Sequence, residues 1–390
     1  MNLSSRPDHR QSIERIDYIV TIRYNALMER MFEYRMRPNR AQETALLKVL
    51  AASRRLYNNA LAEWKAQFEA TGTYLNIYDQ DKRYNKTTYP DVPAVVTDQV
   101  MKRLHRALTA FFKARKEGHD VGFPRFKPAQ RWNSIEFRNG PNHLEGRYFK
   151  APRQCGGRIR VHVHRPLAGQ FRFARIVKRP SGWYLQCVCA VAAQPLPEND
   201  RAVGLDLGIT YLVADSDGHT IENPRAYKRS LERLANAQQR LSRHQKGSRR
   251  RRKAARQVAH IHEQIANQRK DALHKVSRKY VNQYQTIVIE DLQPANMVKN
   301  HSLAQAISDS SWGMLRQYLT YKAEEAGREI EAVPPHFTSQ RCSRCGEYVQ
   351  KSLSVRTHIC RLCGFVADRD VNAAINILQA RTGPSRKVQE

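Results

Sequence analysis

Two thiol pairs constrain this chain more than any other feature: Cys342-Ser-Arg-Cys345 and Cys360-Arg-Leu-Cys363, each followed by a glycine (Gly346 and Gly364). The spacing lets two tight turns wrap one tetrahedral zinc ion. A redox dithiol would need only one pair, and usually a surrounding βαβ pattern. With all four positions filled by protein the zinc is structural, because no coordination position stays open for water or substrate. Any chemistry must therefore come from neighbouring groups. The second pair runs directly into Asp368-Arg-Asp370-Val-Asn-Ala-Ala, an acidic start to an apolar helical pattern.

Three cysteines remain outside this set, Cys155, Cys187 and Cys189. An odd remainder argues against a disulfide framework and for a reducing, cytoplasmic compartment. Residues 1–30 carry no apolar stretch of the kind that directs secretion. The chain has 390 residues with 41% hydrophobic content, enough for two or three modest cores. Lys and Arg number 67 against 36 Asp and Glu, a formal net charge of +31, so a polyanion is the natural partner. Nucleic acid leads. A membrane surface is the competing polyanion, yet no apolar run approaches the roughly 20 residues that span a bilayer.

Residues 1–30 read as a leader or as the product of an upstream start, with Met31 as the alternative first residue. A short alternating strand is expected over 31–39. Asn39 then caps a helix with Gln42 in the reciprocal position, and Leu46, Leu50, Tyr57, Leu61 and Trp64 follow at helical spacing. A second helix, about Thr97 to Lys116, carries Val100, Leu104, Leu108, Phe111 and Phe112 opposite several cations. From Gly122 to about residue 195 the pattern changes to strands, including Arg158 to His164 and Trp183 to Val191. His162 and His164 share a strand face without a third ligand nearby in sequence, and read as solvated or phosphate-facing. The densest charge block is Lys246, Arg249, Arg250, Arg251, Arg252 and Lys253, at the head of a helical pattern running through Ile261, Ile265 and Leu273. It is expected to track a nucleic-acid backbone, against the plainer reading of a solvated face.

Three acids stand out in the second half. Asp206 sits in Ala202-Val-Gly-Leu-Asp206-Leu-Gly208, an apolar strand where an unpaired carboxylate is costly. Glu290 ends the continuous apolar run Thr286-Ile-Val-Ile-Glu290, where ligands of α/β folds gather, with Asp291 aimed at the opposite face. The third is Asp370 or Asp368, one of which serves as N-cap to the following helix. Two strand acids and one at a helix start, successively about 80 residues apart, form the ligand pattern of a ribonuclease H-like nuclease. Carboxylates brought together repel unless divalent cations neutralise them, and hard oxygen ligands select Mg²⁺ or Mn²⁺.

These residues together resemble the TnpB family encoded by insertion sequences. The resemblance rests on Gly204-Leu-Asp206-Leu-Gly208, Arg269-Lys-Asp-Ala-Leu-His-Lys275, Ile289-Glu290-Asp-Leu292, Thr338-Ser-Gln-Arg-Cys342-Ser-Arg-Cys345-Gly346 and Cys363-Gly-Phe-Val-Ala-Asp-Arg-Asp370-Val-Asn-Ala-Ala374. Tyr34-Arg-Met-Arg-Pro38 and Gly122-Phe-Pro-Arg-Phe-Lys127 are similar to further family segments, and coverage runs from about residue 32 to 380. The resemblance implies an RNA-guided DNA endonuclease related to type V CRISPR effectors. It would bind a transposon-derived guide RNA and cleave complementary double-stranded DNA beside a short motif, as a monomer with one RNA.

The implied fold is a multidomain α+β architecture. It comprises a leader over 1–30, a first wedge strand over 31–39, a helical recognition domain over 40–121 and a wedge β-barrel over 122–196. A RuvC nuclease domain follows over 197–335 and 367–382, interrupted by a zinc-binding target-nucleic-acid module over 336–366, with a tail over 383–390. Asp206, Glu290 and Asp370 become the catalytic, Mg²⁺-binding acids. In the family the third acid precedes Asn by two residues, which selects Asp370. Cys342, Cys345, Cys360 and Cys363 become the zinc ligands. A repressor on the same fold would be expected to lack an acid, and none is missing. A protein-only transposase or resolvase would keep the metal site and need no RNA.

Overall fold

A computed structural model describes residues 27–84, 89–138, 143–292, 309–335, 337–352 and 355–381. The tail at 383–390 and residues 1–26 of the leader lie outside them. The described residues divide into two compact units, Leu27–Ala192 and a second that begins at Ala193.

The first unit opens with β1 (Leu27–Arg37), four residues earlier than the strand expected from Met31. Leu27 to Arg30 pair through the backbone with Ala192 to Cys189 of β7 (Gly182–Ala192). Their side chains are largely exposed, so no buried alternation marks them in the sequence. Asn39 and Gln42 form the expected reciprocal cap on α1 (Arg40–Thr71). At its far end Gly72 adopts φ 68°, a left-handed cap that glycine takes without strain. Then come α2 (Ile77–Arg83), α3 (Ala94–Lys116), β2 (Ser134–Arg138), β3 (Leu144–Glu145), β4 (Tyr148–Lys150), β5 (Arg158–His162) and β6 (Gln170–Arg179). The seven strands form one sheet in the order β2-β6-β7-β1-β5-β4-β3. Apolar faces of α1 and α3 share a continuous core with it, filled by Tyr34, Tyr57, Leu104, Phe137, Phe149 and Leu185.

The second unit is built on a five-stranded sheet in the order β10-β9-β8-β11-β12. Its strands are β8 (Ala202–Asp206), β9 (Tyr211–Asp215), β10 (Thr220–Glu222), β11 (Thr286–Glu290) and β12 (Glu329–Val333). The first three run as an antiparallel meander, and β11 lies parallel to both β8 and β12. Between β10 and β11 run α4 (Ala226–Arg229), α5 (Leu231–Ser242) and α6 (Arg249–Gln283). After β11 come α7 (Trp312–Ala326), the short hairpin β13 (Thr357–Ile359) and β14 (Val366–Asp368), and α8 (Arg369–Gln379).

Side chains of a strand alternate between faces, and here the alternation decides where the acids go. Val203, Leu205, Ile287 and Ile289 pack into the core that contains Leu273, Tyr280, Leu315 and Leu319 of α6 and α7. Their neighbours Gly204, Asp206, Val288 and Glu290 therefore face the other way, where Val288 meets Ile377 of α8. Gly204 permits this helix to lie directly on the strand: a Cβ there would come 2.7 Å from Leu378 N and 2.9 Å from Leu378 Cβ.

Candidate active site and zinc knuckle

Because β8 and β11 are parallel and in register, Val288 opposite Gly204 and Ile289 opposite Leu205, Asp206 and Glu290 end side by side at the carboxyl edge of the sheet, on two of its interior strands. The first turn of α8 brings the third acid to the same edge. Asp368 is the N-cap: its Oδ1 accepts from Asp370 N at 2.8 Å and Val371 N at 3.2 Å. That use leaves Asp370 as the acid presented to the strands, and it is buried. Burial, and then the charges of Glu290 and Asp370, push the Asp206 carboxyl well above its usual range. Glu290 is also raised by burial, against a hydrogen bond of 2.6 Å donated by Thr338 Oγ1. Asp370 accepts from Arg369 Nε at 3.0 Å and Nη2 at 2.9 Å, and Arg356 Nη1 lies 3.6 Å away. Asp291 points away, as anticipated, and pairs with Arg316. A buried carboxyl whose charge is further disfavoured by two neighbouring acids fits a divalent cation by its chemistry.

The four thiols form a tighter set. Their sulfurs lie within 4.8 Å of one another, the one such group of ligand atoms among the described residues. Cys342 and Cys363 approach to 3.6 Å, as do Cys345 and Cys360. Tetrahedral zinc with bonds of about 2.3 Å requires sulfurs roughly 3.8 Å apart, so the four fit the ion. Each pair turns tightly: Gly346 N donates to Cys342 O at 2.8 Å and Gly364 N to Cys360 O at 2.9 Å. Both glycines have positive φ, 80° and 70°.

Residues that sequence reasoning did not single out join the two sites. Asn372 accepts from Ser343 N at 3.0 Å and donates to Arg341 O at 2.8 Å. Asn376 donates to Thr338 O at 2.7 Å, and Gln379 to Ser343 O at 3.0 Å. Polar residues at 372, 376 and 379 recur at helical spacing in a helix that is otherwise apolar after Arg369 and Asp370, and this spacing is the trace of the seam in the sequence.

The basic block opens α6, with Ser248 as its N-cap. Lys246 lies in the preceding turn, and Arg249, Arg250, Arg252 and Lys253 are exposed. Arg251 is committed elsewhere: its Nη1 donates to Leu241 O and His244 O, both at 2.9 Å, closing the end of α5. His162 ends β5, and its ring stacks 6.3 Å from that of His164.

Comparison with known proteins adds an independent line. A Streptomyces pristinaespiralis protein named "Putative RNA-guided DNA endonuclease" is 34% identical over 378 residues, covering 90% of this chain and 89% of its own. The chain belongs to the TnpB family. Residues 28–73 match a helix-turn-helix domain, 177–301 the family described as "Probable transposase", and 312–377 the Cas12f1-like TNB domain. An Escherichia coli relative, also named "Putative RNA-guided DNA endonuclease", is 30% identical over 90% of this chain and 91% of its own. In fold the chain is similar to Cas12f1 solved with its single-guide RNA and target DNA, with a TM-score of 0.57 at 14% identity over 86% of this chain and 82% of that one. The architecture is therefore that of the family: a barrel-type sheet with helices, and a ribonuclease H-like sheet bearing a zinc ribbon.

Proposed function

We propose that the chain is an RNA-guided DNA endonuclease in which Asp206, Glu290 and Asp370 hold the divalent ions for phosphodiester hydrolysis. The observation that carries the reading is the convergence of the three acids at the carboxyl edge of the sheet, with Asp206 raised by burial and then by its two partners. A pair of Mg²⁺ or Mn²⁺ ions bound there supplies activation of a water and stabilisation of the leaving oxygen. The protein's part is to fix three carboxylates in a shielded corner and to keep Asp368 occupied as a cap.

The guide RNA and target duplex are the polyanions that +31 formal charge calls for. Arg249, Arg250, Arg252 and Lys253 stand at the N-terminus of α6, where the helix dipole disfavours cations, so their placement costs stability unless phosphates answer it. The protein acts as a monomer with one RNA in the cytoplasm. No helix among the described residues is long and apolar enough to cross a membrane.

The test is to purify the protein from its native locus, sequence the bound RNA, and present the complex with a plasmid library carrying the matching target and Mg²⁺. Asp206→Ala, Glu290→Ala and Asp370→Ala should each abolish cleavage with RNA binding intact, whereas Asp368→Ala should lower stability and retain cleavage. Cleavage by Asp370→Ala together with its loss in Asp368→Ala would overturn the assignment of the third acid. Protein that carries no RNA and cuts without it would point to a protein-only transposase.

A further inference from the structure

Thr338 belongs neither to the acids nor to the thiols. It lies in the turn between β12 and Cys342, and its hydroxyl donates to Glu290 Oε1 at 2.6 Å. Glu290 is 8% exposed, so this is a hydrogen bond to a carboxylate largely removed from water. One oxygen of Glu290 is thereby assigned to Thr338, and the carboxylate's rotation about its last bond is fixed with Oε2 left to a ligand.

The backbone around Thr338 is itself fastened. Its carbonyl accepts from Asn376 at 2.7 Å, and Arg341 O accepts from both Asn372 and Asn376 at 2.8 Å. Ser343, one residue beyond the first thiol, is held at its N–H by Asn372 and at its carbonyl by Gln379. All three of these side chains project from α8, the helix whose first turn carries Asp370. Thiol loop, α8 and Glu290 thus form one hydrogen-bonded body.

We propose that Thr338 is a positioning residue for the acid site, orienting Glu290 for its ion and tying that orientation to the zinc knuckle. The inference rests on the reading of Glu290 as an ion ligand. It deepens that reading by giving the zinc module a part in assembling the acids.

The test compares Thr338→Val, Thr338→Ala and Thr338→Ser in the ribonucleoprotein. Mn²⁺ affinity is measured spectroscopically as the difference from an Asp206→Ala complex, which subtracts ions held by RNA. Valine keeps the volume and removes the donor, so the Mn²⁺ dissociation constant should rise about tenfold, the scale of one hydrogen bond to a charged group. The Mg²⁺ concentration for half-maximal cleavage should rise by a similar factor. Zinc content and target-DNA affinity should not change, and serine should restore both metal readouts. Alanine, which adds no bulk, should behave as valine does and excludes a packing fault in the valine variant.

Wild-type Mn²⁺ affinity in Thr338→Val and Thr338→Ala would overturn the inference, as would a serine variant as defective as valine. Glu290→Gln separates the two levels. If it weakens Mn²⁺ binding while Thr338→Val does not, only the positioning role fails. If Glu290→Gln leaves Mn²⁺ binding unchanged, the acid-site reading itself fails and takes this inference with it.

Discussion

Gly204→Ala is the smallest change that should separate the acids. Gly204 has an ordinary strand backbone, absent from the positive-φ positions, so alanine costs nothing there by conformation. The cost is steric. The added methyl would overlap the Ala374 carbonyl oxygen and sit 2.7 Å from Leu378 N and 2.9 Å from Leu378 Cβ. Non-bonded carbon contacts settle near 3.5–4 Å, so α8 must retreat from β8 by roughly 1 Å. Two of the three colliding atoms are helix backbone, which no rotamer change relieves. Overpacking of this kind costs about 1–3 kcal/mol, and for a unit of this size the melting temperature should fall by roughly 2–12 °C.

The larger effect should be on chemistry. Asp370 rides on α8 and Asp206 on β8, so the retreat opens the acid cluster directly, and a misplacement of about 1 Å costs on the order of a hundredfold in rate. The assay pairs thermal unfolding with single-turnover cleavage at saturating guide, target and Mg²⁺. Target binding, measured alongside, should be unchanged. A variant with wild-type melting and cleavage would refute the claim that α8 is seated through Gly204. Loss of stability with cleavage intact would show that the helix can move without carrying Asp370 away.

Removing zinc should act on both sites. One zinc per chain is expected by elemental analysis, and since a structural zinc contributes on the order of 10 kcal/mol to local folding, Cys345→Ser or Cys360→Ser should unfold the knuckle and lose the ion; well-folded protein free of zinc would reject the assignment. For the basic block, Arg250→Gln with Arg252→Gln should flatten the log–log salt dependence of nucleic-acid binding by roughly 0.7 to 0.9 per lost contact, and parallel lines would favour a solvated face. Arg251→Gln should instead lower stability, because it releases the carbonyls of Leu241 and His244. Lys322 on α7 is buried and donates to His274 O and Ser277 Oγ at 2.8 and 2.7 Å; burial, then the Arg278 charge, push its ammonium down from 10.5 to about 8. Between those values the unfolded chain holds the extra proton, so stability should rise with pH across the window relative to Lys322→Met; denaturation midpoints that track each other from pH 8 to 10.5 would refute it.

Features written in short stretches of chain were legible. The reciprocal cap of Asn39 and Gln42 needs only four consecutive residues, and the two thiol pairs announce their ion by spacing alone. Strand β1 was legible only where its side chains are buried: Phe32, Tyr34 and Met36 alternate inward, while Leu27 to Arg30 are held by backbone pairing that leaves no mark in residue type. Arg251 looked like its neighbours in a run of cations. Only the turn between α5 and α6 gives it carbonyls to bond.

The third acid shows most clearly where local reading stops. Asp368 and Asp370 are both acids at a helix start, and propensity alone assigns either one the cap. The structure gives them different occupations: Asp368 spends one carboxylate oxygen on the N–H groups of Asp370 and Val371, while Asp370 exerts the larger of the two charges on Asp206. Position then does the rest. Asp206 and Glu290 share a face because both are even-numbered steps on parallel strands in register, and α8 is brought onto that face by the missing Cβ at Gly204. Thr338 and Glu290 are 48 residues apart, and Asn372 and Arg341 are 31 apart. Such bonds exist only after the sheet and helix have met, so the seam that joins zinc to acids is a product of packing.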